Sequence, residues 1–126
     1  MENIKRKKEK TMTNYLFKTE TAMKPYNSDK WWIDSNIVRD FTVSAKNLDE
    51  ALELYRQTIE FSCGIKISKN ALKNKKPMYI DDEFGNQKQI GYVITAKTIF
   101  YTDDGRKSEQ NIELWIEIKE INEIEF

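Results

Sequence analysis

Between Gln89 and Ile118 the chain reads as two long β-forming runs that meet at one tight turn. The first, Gln89 to Thr102, is rich in Ile, Val, Thr, Tyr and Phe. Asp103-Asp104-Gly105-Arg106 follows, and an Asp-Gly pair supplies the positive φ that tight hairpins require. The return run puts Ile112, Leu114, Ile116 and Ile118 on one side and Glu113, Trp115, Glu117 and Lys119 on the other, because successive side chains of a strand point to opposite faces. One face is therefore core and the other wet. A hairpin of this length commits the chain to an antiparallel sheet with an apolar cover on one side.

The cover is legible too. Phe41, Val43 and Ala45 alternate with Thr42 and Ser44 as a half-buried strand. Asn47 follows in an N-cap position, with Glu50 three residues on and Asp49 in the first turn, where the helix dipole favours negative charge. Leu48, Ala51, Leu52, Tyr55, Ile59 and Cys63 then recur at the spacing of one helical face, and Gly64 suits a left-handed C-terminal cap.

The remaining elements are shorter. Tyr15-Leu16-Phe17 reads as an edge strand, Lys24 to Asp29 as a turn, and Trp31-Trp32-Ile33 as a second apolar stretch. Ile65 and Ile67 form a short strand, Asn70 to Pro77 a lysine-rich loop, Met78 to Ile80 the start of a strand, and Asp82 to Asn86 a turn around Gly85. Residues 1–13 carry Lys5, Arg6, Lys7, Lys8 and Lys10 without apolar periodicity and are expected to be a flexible basic arm. Residues 14–126 form a single α+β domain: an antiparallel sheet of about four to six strands with one main helix packed on one face.

A length of 126 residues, 39% hydrophobic and 33% charged, is enough for one core without staples. Cys63 is the only cysteine, so no intrachain disulfide forms. No run reaches the roughly 20 apolar residues that span a bilayer, and the charged start lacks the apolar segment of a signal peptide. A cytoplasmic protein with no membrane association is expected. Histidine is absent, which removes the usual general base, the Ser-His and Cys-His nucleophile pairs and the commonest zinc ligand.

Net charge is zero but unevenly placed. Residues 1–30 hold eight Lys/Arg against four Asp/Glu, 65–77 hold five lysines and no acid, and 109–126 hold six glutamates against Lys119 alone. Such asymmetry steers association with charged partners. Two opposed surfaces follow: an acidic one of Glu109, Glu113, Trp115, Glu117 and Glu120 that would take a basic protein partner, and a basic one of Lys5, Arg6, Lys7, Lys8, Lys69, Lys73, Lys75 and Lys76 that would take nucleic acid. Trp31 and Trp32 are adjacent, so in an extended segment one of them faces away from the core, and Trp115 shares the polar side of its strand. Exposed tryptophans are enriched at binding hot spots.

Catalytic constellations are weaker. Glu117-Ile118-Lys119 with Asp103 or Asp104 upstream resembles the metal-binding arrangement of the PD-(D/E)xK nucleases, in which two carboxylates hold a divalent ion. Yet Glu-x-Lys is ordinary on an amphipathic strand, the turn explains both aspartates, and only seven residues follow Lys119. Asp81-Asp82-Glu83 lacks the ligand spacing of an EF-hand, and Gly85 and Gly91 belong to no phosphate-binding pattern. Cys63 at a helix C-terminus has nothing to activate it. The expectation is no enzyme, no cofactor and no metal.

The Lys/Asn/Ile bias, the short length and the junction Phe41-Thr-Val-Ser-Ala-Lys-Asn-Leu-Asp-Glu-Ala51 give the chain a resemblance to small accessory proteins of phages and plasmids of low-GC bacteria, the anti-CRISPR and anti-restriction inhibitors among them. That resemblance implies a non-enzymatic binder of a host nucleic-acid-targeting effector, with the acidic C-terminal strand as working face. Direct nucleic-acid binding through the lysines is the alternative.

Overall fold

The computed structural model describes residues 11–23, 30 and 32–121. In chain order the elements are β1 (Thr13–Met23), β2 (Trp32–Asp34), β3 (Phe41–Ala45), α1 (Leu48–Cys63), β4 (Ile65–Lys66), α2 (Lys69–Lys73), β5 (Lys76–Asp81), β6 (Gln87–Tyr101) and β7 (Lys107–Ile121).

Three long strands carry one antiparallel sheet. β7 lies in the middle, paired with β1 from Asn14↔Ile121 to Ala22↔Glu113 and with β6 from Gly91↔Glu117 to Tyr101↔Lys107. The outer edge of β1 is shared by β3 and β2, and that of β6 by β5 and β4. The sheet thus has seven strands rather than four to six, because the two outer long strands, β1 and β6, each carry two short ones. The chain is a single small domain, more β than expected.

β1 is also not an edge strand. It runs eleven residues between β7 and the β2/β3 pair. Its inward positions are Tyr15, Phe17, Thr19 and Thr21, all buried. The last two are threonines, so the apolar signal fades after Phe17 although the burial does not. Their hydroxyls are satisfied, Thr19 Oγ1 by the Tyr55 hydroxyl at 2.6 Å and Thr21 Oγ1 by donating to the Asp34 carbonyl at 3.0 Å. A buried hydroxyl left unpaired would cost about 1–3 kcal/mol.

α1 forms as its sequence requires. Asn47 accepts a hydrogen bond from the Glu50 amide at 2.9 Å, and Gly64 closes the helix in the left-handed conformation at φ 67° with its amide on the Glu60 carbonyl. Ala51, Leu52, Tyr55 and Ile59 are buried against the sheet. They meet Phe17, Ala45, Ile65, Ile67, Ile94, Leu114 and Ile116 in one core. The Tyr55 ring packs tilted against Phe17 and stacks on Phe41 at centroid distances of 4.7 and 5.4 Å.

Residues 70–77, expected to be a loop, contain a second short helix and the start of β5. Ser68 caps α2 by accepting from the Ala71 amide at 3.0 Å, and Ala71 and Leu72 pack against the core. Five lysines around two apolar residues hid this element. Pro77 falls inside β5, an edge strand, where a missing N–H is tolerated.

Both hairpin turns share one pattern. The amides of Asp82 and Thr102 donate to the carbonyls of Asn86 and Arg106, while Gly85 and Gly105 donate back to Asp82 and Thr102. The glycines sit at φ 81° and 82°, as in three-residue loops that end in a left-handed residue.

Candidate functional site

Both helices lie on the core face of the sheet, and among the described residues no element packs on the other face. That face collects the outward side chains: Leu16, Lys18, Glu20 and the fully buried Ala22 from β1, Glu113, Trp115, Glu117 and Lys119 from β7, and Val93, Thr95 and Lys97 from β6. Register sets the neighbours. Trp115 stands between Glu20 and Val93, and Glu117 between Lys18 and Gly91. Directly opposed residues in antiparallel strands bring their Cβ atoms within about 5 Å.

Trp115 is half-buried, and its indole Nε1 donates to Glu113 Oε1 at 3.0 Å, which fixes the plane of the ring. Beside it opens a cleft of about 330 Å³ lined by Lys18, Glu20, Asp40, Met78, Trp115 and Glu117. Ser35 and Asp40 reach it from the segment joining β2 to β3, which passes the edge of β1.

The structure brings together three of the five acidic-surface residues, Glu113, Trp115 and Glu117. Glu109 lies farther along the same face, with its carboxylate 3.9 Å from Lys97 Nζ. Glu120 does not join them: it stands opposite Tyr15 on the core side, in a shallow cleft with Leu48 and Gln89. The period of two that makes β7 amphipathic sends an even-numbered glutamate to the other face. Nor is the open face uniformly acidic. Lys119 Nζ sits 3.3 Å from Glu117, and Lys18 stands across from Glu117.

The lysine surface is divided as well. Lys69, Lys73 and Lys75 border a groove of about 610 Å³ between α1 and α2, whose other wall holds Asp49 and Glu53. Arg56 donates to Glu53 and holds that carboxyl below its ordinary pKa. Lys75 Nζ lies 5.2 Å from the centroid of the Tyr92 ring. Lys76 instead stands opposite Val93 on the open face. Lys5, Arg6, Lys7 and Lys8 lie outside the described residues, as does Trp31. Trp32 sits on the sheet's edge, 65% exposed.

The nuclease-like set does not assemble. Asp103 and Asp104 occupy the β6–β7 turn, whereas Glu117 and Lys119 pair far down the ladder. At roughly 3.3 Å per residue the stretch of β7 from Lys107 to Glu117 alone spans about 33 Å, far beyond the reach of one metal ion. Asp104 is engaged locally: the Thr102 hydroxyl donates to it and lowers its carboxyl pKa, and Arg106 Nε lies 3.0 Å away. Asp82 likewise accepts from the amides of Phe84 and Asn86 at 2.9 and 2.8 Å. Among the described residues no three carboxylates or thiols stand close enough together to hold a metal ion, and no helix is long and apolar enough to cross a membrane.

Lys18, Glu20 and Asp40 were not legible as site residues. Lys18 and Glu20 are outward members of a strand whose far half is hidden by threonines, and the register that sets them beside Trp115 is a long-range fact. Comparison with protein-family models, curated proteins and solved structures finds no match to this chain.

Proposed function

We propose that this chain is a non-catalytic protein-binding module and that its working surface is the open face of the sheet around Trp115. The observation that carries the reading is a half-buried tryptophan, its ring plane fixed by Glu113, at the centre of a sheet face that no described element covers. Tryptophan on a rigid strand gives large contact area at little entropic cost, and such residues dominate binding energy when a partner excludes water around them.

The face suits a basic partner. Glu20, Glu113 and Glu117 surround Trp115, while Lys18 and Lys119 break the acidic strip into a mixed pattern that favours one docking orientation. A nucleic-acid-targeting effector with a basic groove has this chemistry, in keeping with a role as a mobile-element inhibitor of host defence.

The test is capture of partner proteins from host lysate, identified by mass spectrometry, with wild type and two variants side by side. Trp115→Ala should weaken binding of the captured partner by at least about 30-fold, the equivalent of a 2 kcal/mol hot spot. Glu113→Lys with Glu117→Lys should also weaken it. Undiminished binding by both variants would remove the open face as the working surface.

A further inference from the structure

The cleft beside Trp115 has the chemistry of a seat for one particular side chain, and we infer that it takes an arginine presented by a partner protein. This inference rests on the open face being the working surface and names what the partner inserts there. The cleft is walled by an aromatic ring on the sheet and by carboxylates at its rim: Glu20 directly across from Trp115, Glu117 two residues along β7, and Asp40 from the segment entering β3. One cation, Lys18, shares the lining, so the cleft carries three negative charges against one positive. Glu117 is already engaged by Lys119. The side-chain carboxylates of Glu20 and Asp40, by contrast, have no hydrogen-bond or ion-pair partner among the described residues.

Arginine fits this arrangement better than lysine. A guanidinium is planar and weakly hydrated, so it lies on an indole face while its N–H fork reaches carboxylates at the ring's edge. An ammonium makes the ring contact or the carboxylate contact but has no planar fork to make both. The Trp115 ring is prepared for stacking, since the Nε1 hydrogen bond to Glu113 holds its plane before any ligand arrives. Met78, opposite Gly91 in β5, supplies an adaptable apolar wall for the methylene stem of the incoming side chain.

The full chain, labelled with ¹⁵N, gives three indole N–H resonances, from Trp31, Trp32 and Trp115, and Trp115→Phe identifies the relevant one. The probe is the peptide acetyl-Gly-Arg-Gly-amide, titrated beside its lysine and citrulline counterparts. Saturable shifts of the Trp115 resonance are expected with the arginine peptide, about fivefold weaker shifts with lysine and none with citrulline, given the charge and planarity that stacking requires. The double change Glu20→Gln, Asp40→Asn lies on exposed positions and leaves the fold intact by circular dichroism. It should weaken the arginine peptide by about tenfold, the loss of two carboxylate contacts at a partly exposed site. Equal response to citrulline, or no response of Trp115 to any peptide, overturns the arginine assignment. If partner capture still depends on Trp115 in that event, the working face stands and only its ligand is wrong; if capture ignores Trp115, the face itself is wrong.

Discussion

Tyr55 shows how much one side chain settles here. It is fully buried, packs against both Phe17 and Phe41 in a three-ring cluster, and shares a 2.6 Å hydrogen bond with Thr19, tying α1 to β1. Burial, the largest cause, pushes its hydroxyl pKa well above the ordinary value, because a phenolate in the core would lose its hydration. The folded protein therefore holds this proton after the unfolded chain has released it. Stability from this group is intact below the unfolded pKa of about 10 and declines as pH rises beyond it, by up to about 1.4 kcal/mol per unit. Urea melts between pH 9 and 11 should show that decline, and Tyr55→Phe should remove its share while costing about 1 kcal/mol at neutral pH through the lost hydrogen bond. An identical alkaline slope in the variant would contradict this assignment. Gly91 is a second such residue. A Cβ there would fall on the Ile116 carbonyl oxygen and lie 3.1 Å from Glu117 Cα, so β6 approaches β7 more closely than any side chain allows. It adjoins the bulge in which Met78 faces Gly91, Tyr79 faces Gln89 and Ile90 is left over. Gly91→Ala should cost about 3 kcal/mol or more in denaturant melts, since backbone rather than a movable side chain is in the way. Gly85→Ala meets open space and should cost only about 1–2 kcal/mol for its positive φ.

At the scale of elements, α1 is the cover without which the three long strands have no core. Leu52→Ala and Ile59→Ala, both at positions with essentially no exposure, should each cost about 2–5 kcal/mol in chemical denaturation. Losses below about 0.5 kcal/mol at both would mean the helix does not pack there. This helix could be read from sequence down to its caps, because Asn47, Glu50 and Gly64 act on neighbours within one turn. So could β7, whose strict alternation declares both faces. What could not be read depends on contacts between distant segments. β1 looked like a short edge because Thr19 and Thr21 fill core positions, and only the Tyr55 hydroxyl and the Asp34 carbonyl, far along the chain, make those positions tolerable. α2 was hidden because its two packing residues, Ala71 and Leu72, need the α1 side of the core to have anything to pack on. The candidate site followed the same rule. Glu113, Trp115 and Glu117 were visible as one strand's outward row, whereas Lys18, Glu20 and Asp40 enter through the β1–β7 register and the path between β2 and β3.

Across the whole molecule, the two surfaces of opposite charge that sequence suggests become something different once folded. Glutamates and lysines interleave on the open face, and the lysines of 69–76 are divided between a helix groove walled by Asp49 and Glu53 and the edge of that same open face. Phosphate binding gains from each cation that displaces condensed counterions, and nearby carboxylates cancel part of that gain. A lysine surface interrupted in this way should bind nucleic acid poorly. Anisotropy titrations of a labelled single-stranded oligonucleotide should give no dissociation constant below about 10⁻⁴ M at physiological salt, the weak end of non-specific binding. Changing Lys69, Lys73 and Lys75, which border the helix groove, to Gln should leave capture of the protein partner unaltered. Tight oligonucleotide binding that falls steeply with salt and disappears in this triple variant would shift the working surface from the open sheet to the lysines. In that case the mixed charge around Trp115 would be ordinary solvated surface, and the zero net charge of the chain would conceal a local basic field strong enough to hold a phosphate backbone.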